Sequence, residues 1–160
     1  MTNRKSRGSN GSNRSRRGVS LDLSPLDDIP AVPGAYVLVI TLQQPIVLRL
    51  PRIETDLPPG SYAYCGSAYG PGGLRARLAR HLRRDKKPHW HVDRLTSVGR
   101  LFDWLAVPNG DECELRAALQ ASPGVTAPIS GFGSSDCRRC SSHLLALPVG
   151  FDLDYCIERD

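Results

Sequence analysis

The stretch from Tyr62 to Asp93, YAYCGSAYGPGGLRARLARHLRRDKKPHWHVD, constrains this chain more than any other. An aromatic strand pattern runs through a glycine-rich turn into a strongly basic helical pattern, which ends in His89-Trp90-His91. Three of the four histidines fall inside it, with most of the positive charge that lies beyond the N-terminal segment. The rest of the chain is expected to position this segment.

The charge is unevenly placed. The formal net charge is +5, yet residues 1–20 alone carry six basic residues and no acid, so the remaining body sums to −1. Within that body, residues 74–94 hold eight basic residues against Asp85 and Asp93. One basic face therefore stands against an acidic remainder, an arrangement suited to a polyanion such as nucleic acid. The plainer reading is a solvated helix face. Arg75, Arg80, Arg83, Arg84, Lys86, Lys87, His89 and His91 are the candidate nucleic-acid contacts.

A chain of 160 residues has room for one domain with a real core. No apolar run reaches the ~18 residues that a membrane span needs. The N-terminus lacks the apolar core of a secretory signal. Five scattered cysteines are an odd number for a disulfide framework, so a reducing, cytoplasmic setting is expected. Residues 1–20, rich in Ser, Asn, Gly and Arg, read as a disordered basic tail. Residues 21–148 form the domain, opening with an irregular, proline-broken lead-in, and 149–160 a loose C-terminal extension.

Gly34–Leu42 is β-branched and apolar, with Tyr36, Leu38 and Ile40 on one face and Ala35, Val37 and Val39 on the other. Ile46–Leu50 is expected to pair with it as a hairpin, followed by a loop over 51–60 and a third strand over 61–66. In that third strand Tyr62 and Tyr64 share a face. Short connections of this kind argue an antiparallel sheet. A helix is expected over 74–84 with Leu74, Leu78 and Leu82 buried, which puts Arg77 and His81 along the edge of its apolar stripe. An arginine at a sheet–helix boundary needs a partner or an anion. A second helix is expected over 89–97, with Asp93 four residues from His89 and able to orient its imidazole. A strand over 101–107 and a turn at 108–110 follow.

Asp111-Glu112-Cys113-Glu114 has capping-box spacing at the start of a further helix. Glu112 falls on the face of Leu115 and Leu119, and Glu114 on nearly the opposite side. A carboxylate on an inner face is costly unless it meets a cation or good donors, so Glu112 is the functional candidate. An acid favoured by the helix dipole is the plain alternative. Farther on, Cys137, Cys140 and His143 have C-x2-C-x2-H spacing. A structural zinc site on them needs a fourth ligand, from Asp136, Cys113 or a more distant cysteine. The alternative is a tight loop whose thiols pack locally.

Taken in order, Gly34-Ala35-Tyr36, Tyr64-Cys65-Gly66, Arg77-Leu78-x-x-His81 and Glu112 resemble the GIY-YIG nuclease superfamily. The closer likeness is to its DUF123 group, through GSYAYCGSAYGPGGL, RHLRRDKKPHWHVD, DECEL and GFGSSDCRRCSSHL. The resemblance implies a small α/β domain with a central antiparallel β-sheet flanked by α-helices. It implies phosphodiester hydrolysis with one divalent cation, magnesium or manganese, on DNA that is branched or damaged, in repair or recombination. By the same resemblance Tyr36 would act as general base or orient the attacking water, and Tyr64 would assist. Arg77 would stabilise charge on the phosphate, His81 would help position the nucleophile or leaving group, and Glu112 would bind the metal.

This sequence departs from the superfamily pattern in a longer gap between Tyr36 and Tyr64, and in Ala35 and Cys65 at the middle positions. His89 and His91 both match its third histidine, and Ser135-Asp136-Cys137 stands where an asparagine is usual. Two other functions remain open on sequence: a non-catalytic nucleic-acid-binding module, and a zinc-stabilised interaction domain built on the Cys137–His143 block.

Overall fold

The computed structural model describes residues 15–16 and 27–157. The expected tail over 1–20 therefore lies outside the described residues, apart from strand β1 (Ser15–Arg16), which pairs antiparallel with Leu105 and Ala106. The sheet is built from β2 (Gly34–Leu42), β5 (Gly60–Ser67), β6 (Arg100–Pro108) and β7 (Leu144–Leu147), in the order β1-β6-β2-β5-β7 and antiparallel throughout. The helices are α1 (Gly73–Leu82), α2 (Asp93–Thr96), α3 (Glu112–Gln120) and α4 (Leu153–Ile157). None of them is long and apolar enough to cross a membrane. The α/β class with a central antiparallel sheet is as expected.

The two faces of the sheet carry separate cores. Tyr36, Leu38 and Ile40 join Tyr62, Tyr64, Trp104 and Ala106 on one face, where Leu74 and Leu78 of α1 and Leu95 of α2 pack. Val37, Val39, Ala63, Cys65 and Leu105 form the other with Leu119 of α3 and Leu153 of α4. The period of two in β2 and β5 dictates this split. It also puts the middle residue Cys65 in the core away from the tyrosines. Leu153, beyond Pro148, is buried in the second core.

The strand pairing differs from expectation in one place. Residues 53–57 are strand β4 (Ile53–Leu57), which pairs with β3 (Ile46–Leu50) in a separate two-stranded sheet, while β2 pairs with β5 and β6. Pro51-Arg52 closes that hairpin with Arg52 at φ 66°, the pattern of a type II turn with proline first and positive φ second. The alternating Ile53-Glu54-Thr55-Asp56-Leu57 is polar enough to read as loop, yet it buries Leu57, opposite Ile46, in the core on the tyrosine face. This inserted hairpin accounts for the long gap between Tyr36 and Tyr64.

Helix α2 is also shorter than expected. The Asp93 carboxylate accepts from the backbone N–H groups of His89 and Trp90, at 2.8 and 2.9 Å. Residues 88–92 thus fold as a loop around Asp93, and the helix starts only there. Asp93 does not orient the His89 imidazole; its fully buried carboxylate serves the backbone and Arg80 instead.

Candidate active site and thiol–imidazole cluster

A cleft of about 620 Å³ is lined by Tyr36, Tyr64, Arg77 and Glu112, brought from β2, β5, α1 and α3. In the β2–β5 ladder Tyr36 stands directly opposite Gly66. A Cβ on Gly66 would lie 2.3 Å from the Tyr36 phenol oxygen, so only glycine leaves the ring its place. Gly133, at φ 67°, does the same for Tyr64, whose ring a Cβ there would approach to 2.6 Å. The two tyrosine rings are 6.4 Å apart, centre to centre.

His81 does not line the cleft. It lies beneath it, 1% exposed, with Nε2 2.8 Å from the Tyr36 hydroxyl. Burial pushes this imidazole down to about 3, despite the neighbouring Asp93. At neutral pH it is therefore uncharged and accepts the phenol proton at Nε2 when Nδ1 carries its own. Nδ1 faces Asp93 Oδ1 at 3.9 Å, and the charge of Asp93 favours a proton on that side. Tyr36 is itself held well above the usual phenol range, chiefly by burial and then by Tyr64. Burial likewise raises Tyr64. Both are neutral phenols, able to orient a water but not to ionise unaided.

Arg77 is half-buried, with its guanidinium carbon 4.2 Å above the Trp90 ring. Such stacking holds a cation in place without consuming all its N–H donors. Gly70 leaves space beside it, since a Cβ there would lie 3.2 Å from a guanidinium nitrogen. Glu112 begins α3, whose cap is Asp111: its carboxylate accepts from the Cys113 and Glu114 amides.

The remaining helix cations are more committed than a charge count implies. Arg80 is ion-paired with Asp93 at 2.6 Å and also lies over the Trp90 ring, its guanidinium carbon 4.6 Å from the ring centre. The Lys86 ammonium is buried and donates to the His81 and Arg83 carbonyls at the end of α1, so it is not available to a phosphate. Arg75 donates to the Ile29 and Asp27 carbonyls, and Arg84 to Gly99. His91 accepts from the Gly133 amide at 3.0 Å and packs edge-on against Phe132, which fixes the loop beside Tyr64. Arg83, Lys87 and His89 are exposed. Of all these, only Arg77 lines the cleft. Its other cations are Arg138 and Arg139, with Asp136 as a second acid, and Tyr69 and Trp90 complete the aromatic rim. Sequence reasoning passed over both arginines because no helical or strand period marks them.

The cleft shares a wall with a second cluster. Cys113, Cys137, Cys140 and His143 offer one donor atom each, all within 4.8 Å of one another, a group that could hold a metal ion. Of the three sources considered for a fourth ligand, the structure brings Cys113, the neighbour of Glu112. Thiols and an imidazole are soft and borderline donors, unlike the oxygen set that magnesium takes. The hard-oxygen donors of the cleft are Glu112 and Asp136.

The family model of DUF123, a domain of unknown function, matches residues 35–159, and the chain belongs to that family. No curated protein and no solved structure matches it.

Proposed function

We propose that this DUF123 protein is a metal-dependent endonuclease that hydrolyses DNA phosphodiester bonds. One observation carries the reading: two neutral tyrosines, a stacked arginine and a carboxylate from four separate elements line a single cleft, with His81 hydrogen-bonded to Tyr36 from below. Cationic, anionic and phenolic groups would not converge in this way merely to pack.

Arg77 donates N–H groups to the non-bridging oxygens of the scissile phosphate, where charge grows in the transition state. Trp90 keeps it aimed. Tyr36 donates a hydrogen bond to His81 Nε2 and keeps its proton, which leaves the lone pairs of the phenol oxygen free to accept from the attacking water and orient it. Tyr64, beside it, holds the far side of the same water or phosphate. Glu112 and Asp136 are the cleft carboxylates that would hold magnesium or manganese, which would supply Lewis acidity to the phosphate oxygens. Arg138 at the rim engages a flanking phosphate, while Arg139 beside it is ion-paired with Asp111, and exposed Tyr69 offers a face for an unstacked base.

The test is a cleavage screen over duplex, branched, damaged and single-stranded DNA with magnesium or manganese. At least one substrate is cut, and Arg77→Ala slows this by about 100- to 1000-fold. If nothing is cut while salt-sensitive binding survives Arg77→Ala and Glu112→Ala, the protein is a binding module that keeps the cleft without its chemistry.

A further inference from the structure

We propose that Cys113, Cys137, Cys140 and His143 bind one zinc ion as a closed structural centre, which clamps the loop over residues 131–143 to the start of α3 and so builds one wall of the cleft. The inference does not rest on the nuclease reading.

The spacing of the donors carries it. Cys113 Sγ lies 3.5 Å from Cys137 Sγ and 3.9 Å from His143 Nε2. With zinc bonds of about 2.3 Å to sulfur and 2.0 Å to nitrogen, tetrahedral edges are about 3.5–3.8 Å. A disulfide would need its sulfurs about 2.05 Å apart. All five cysteines are free. The donors come from α3 and from both limbs of the loop, so one ion would join segments some 25–30 residues apart.

The surroundings are arranged for ligation. The Arg139 amide points at Cys137 Sγ at 3.4 Å, and the Cys140 amide also bonds that sulfur, within the same C-x2-C turn. Such N–H donors favour a thiolate. The His143 ring hydrogen-bonds the Gly133 backbone while Nε2 faces Cys113, the tautomer-setting contact common to zinc-bound histidine. Arg116 of α3 donates to the Ser142 carbonyl, and His143 is tied to β5 by the bond from the Cys65 amide to its carbonyl.

The loop has reason to need a clamp. Between Gly131 and His143 there is no helix or strand, and Phe132 is its one large apolar side chain in the core. Its closing backbone bonds, Gly131 to Ser141 and His143 to Phe132, lie at its base, while the Ser134–Cys140 tip reaches α3 through the solvent-exposed Arg139–Asp111 ion pair, a weak tie on its own. Four protein ligands fill a tetrahedral shell, so the ion takes no substrate. Its effect on the cleft is positional: Arg138 and Arg139 sit between two ligands, and Glu112 directly precedes a third.

The experiment is metal analysis of the full chain purified without chelator, together with cobalt substitution. The expected content is about one zinc per chain, and the cobalt form should show thiolate-to-metal absorption with tetrahedral d–d bands. Cys137→Ser and Cys140→Ser should lose the metal, and Cys156→Ser, outside the cluster, should keep it. Should the ligand variants fail to fold, the wild-type chain still answers. Chelation should open the loop to trypsin at Arg138 and Arg139, and added zinc should close it again. Less than about half an equivalent of zinc with no cobalt–thiolate band, or a Cys113–Cys137 disulfide in the non-reduced protein, would overturn the proposal. So would zinc retained by both ligand variants.

Discussion

His81 is the residue whose burial moves its titration out of the physiological range while leaving it beside the cleft. Its folded-state value of about 3 lies below the ordinary ~6.5, so between those two values the unfolded chain binds a proton that the folded chain refuses. This group's contribution is therefore intact above pH ~6.5 and declines as pH falls towards 3, by up to roughly 5 kcal/mol in all. His81→Gln removes the titration. Urea unfolding at a series of pH values should show wild type losing stability faster than the variant below pH ~6. Parallel pH profiles for the two proteins would mean that His81 is solvated or charged in the fold.

At the scale of elements, the β2–β5 ladder is what aims Tyr36. Gly66→Ala should leave the sheet paired but press on a phenol ring with no room to move, costing about 1–3 kcal/mol of stability. Cleavage should fall far more than that loss of folded protein explains, because the hydroxyl leaves His81. A variant as active as wild type would separate the ring's position from catalysis. The ladder also marks how far sequence reasoning reached. The alternation in β2 and β5, the apolar stripe of α1 and the Asp111 cap are local properties, and each was legible. The β3–β4 pairing was not, because its partner choice depends on burying Leu48 and Leu57 over a face that no local pattern describes. Asp93 was misjudged for the same reason. Four residues from His89 in sequence, its carboxylate instead gathers the His89 and Trp90 amides and Arg80.

Over the whole molecule, positive charge matters by where it is free. Counting residues gives one basic helix face, but geometry ties down Arg75, Arg80, Arg84, Lys86 and His91, pairs Arg139 with Asp111, and places Arg138 at the cleft. Arg138→Ala should weaken DNA binding and lower the slope of log affinity against log salt by about 1. Lys86→Met should leave that slope unchanged and show its cost in thermal stability, through the lost bonds to the end of α1. The opposite pattern would restore the helix face as the contact surface.

The convergence at the cleft was partly legible as well. The family resemblance names Tyr36, Tyr64, Arg77 and Glu112, wheel position also marks Arg77 and Glu112, and the four meet at the cleft; His81, named with them, lies one layer deeper. The fourth thiol donor, Cys113, was one of three candidates on sequence, and only the packing of α3 against the loop singles it out.

The adjacent acids of α3 give the most direct test of the cleft as a hydrolytic site. Glu112 lines it, and Glu114 is exposed two residues later. The measurement is the magnesium-dependent rate of DNA cleavage by Glu112→Ala and Glu114→Ala, each with its fold verified by circular dichroism. Glu112→Ala should reduce the rate by about 100-fold or more, and Glu114→Ala should leave it within about twofold of wild type. Equal rates for the two variants would contradict the account.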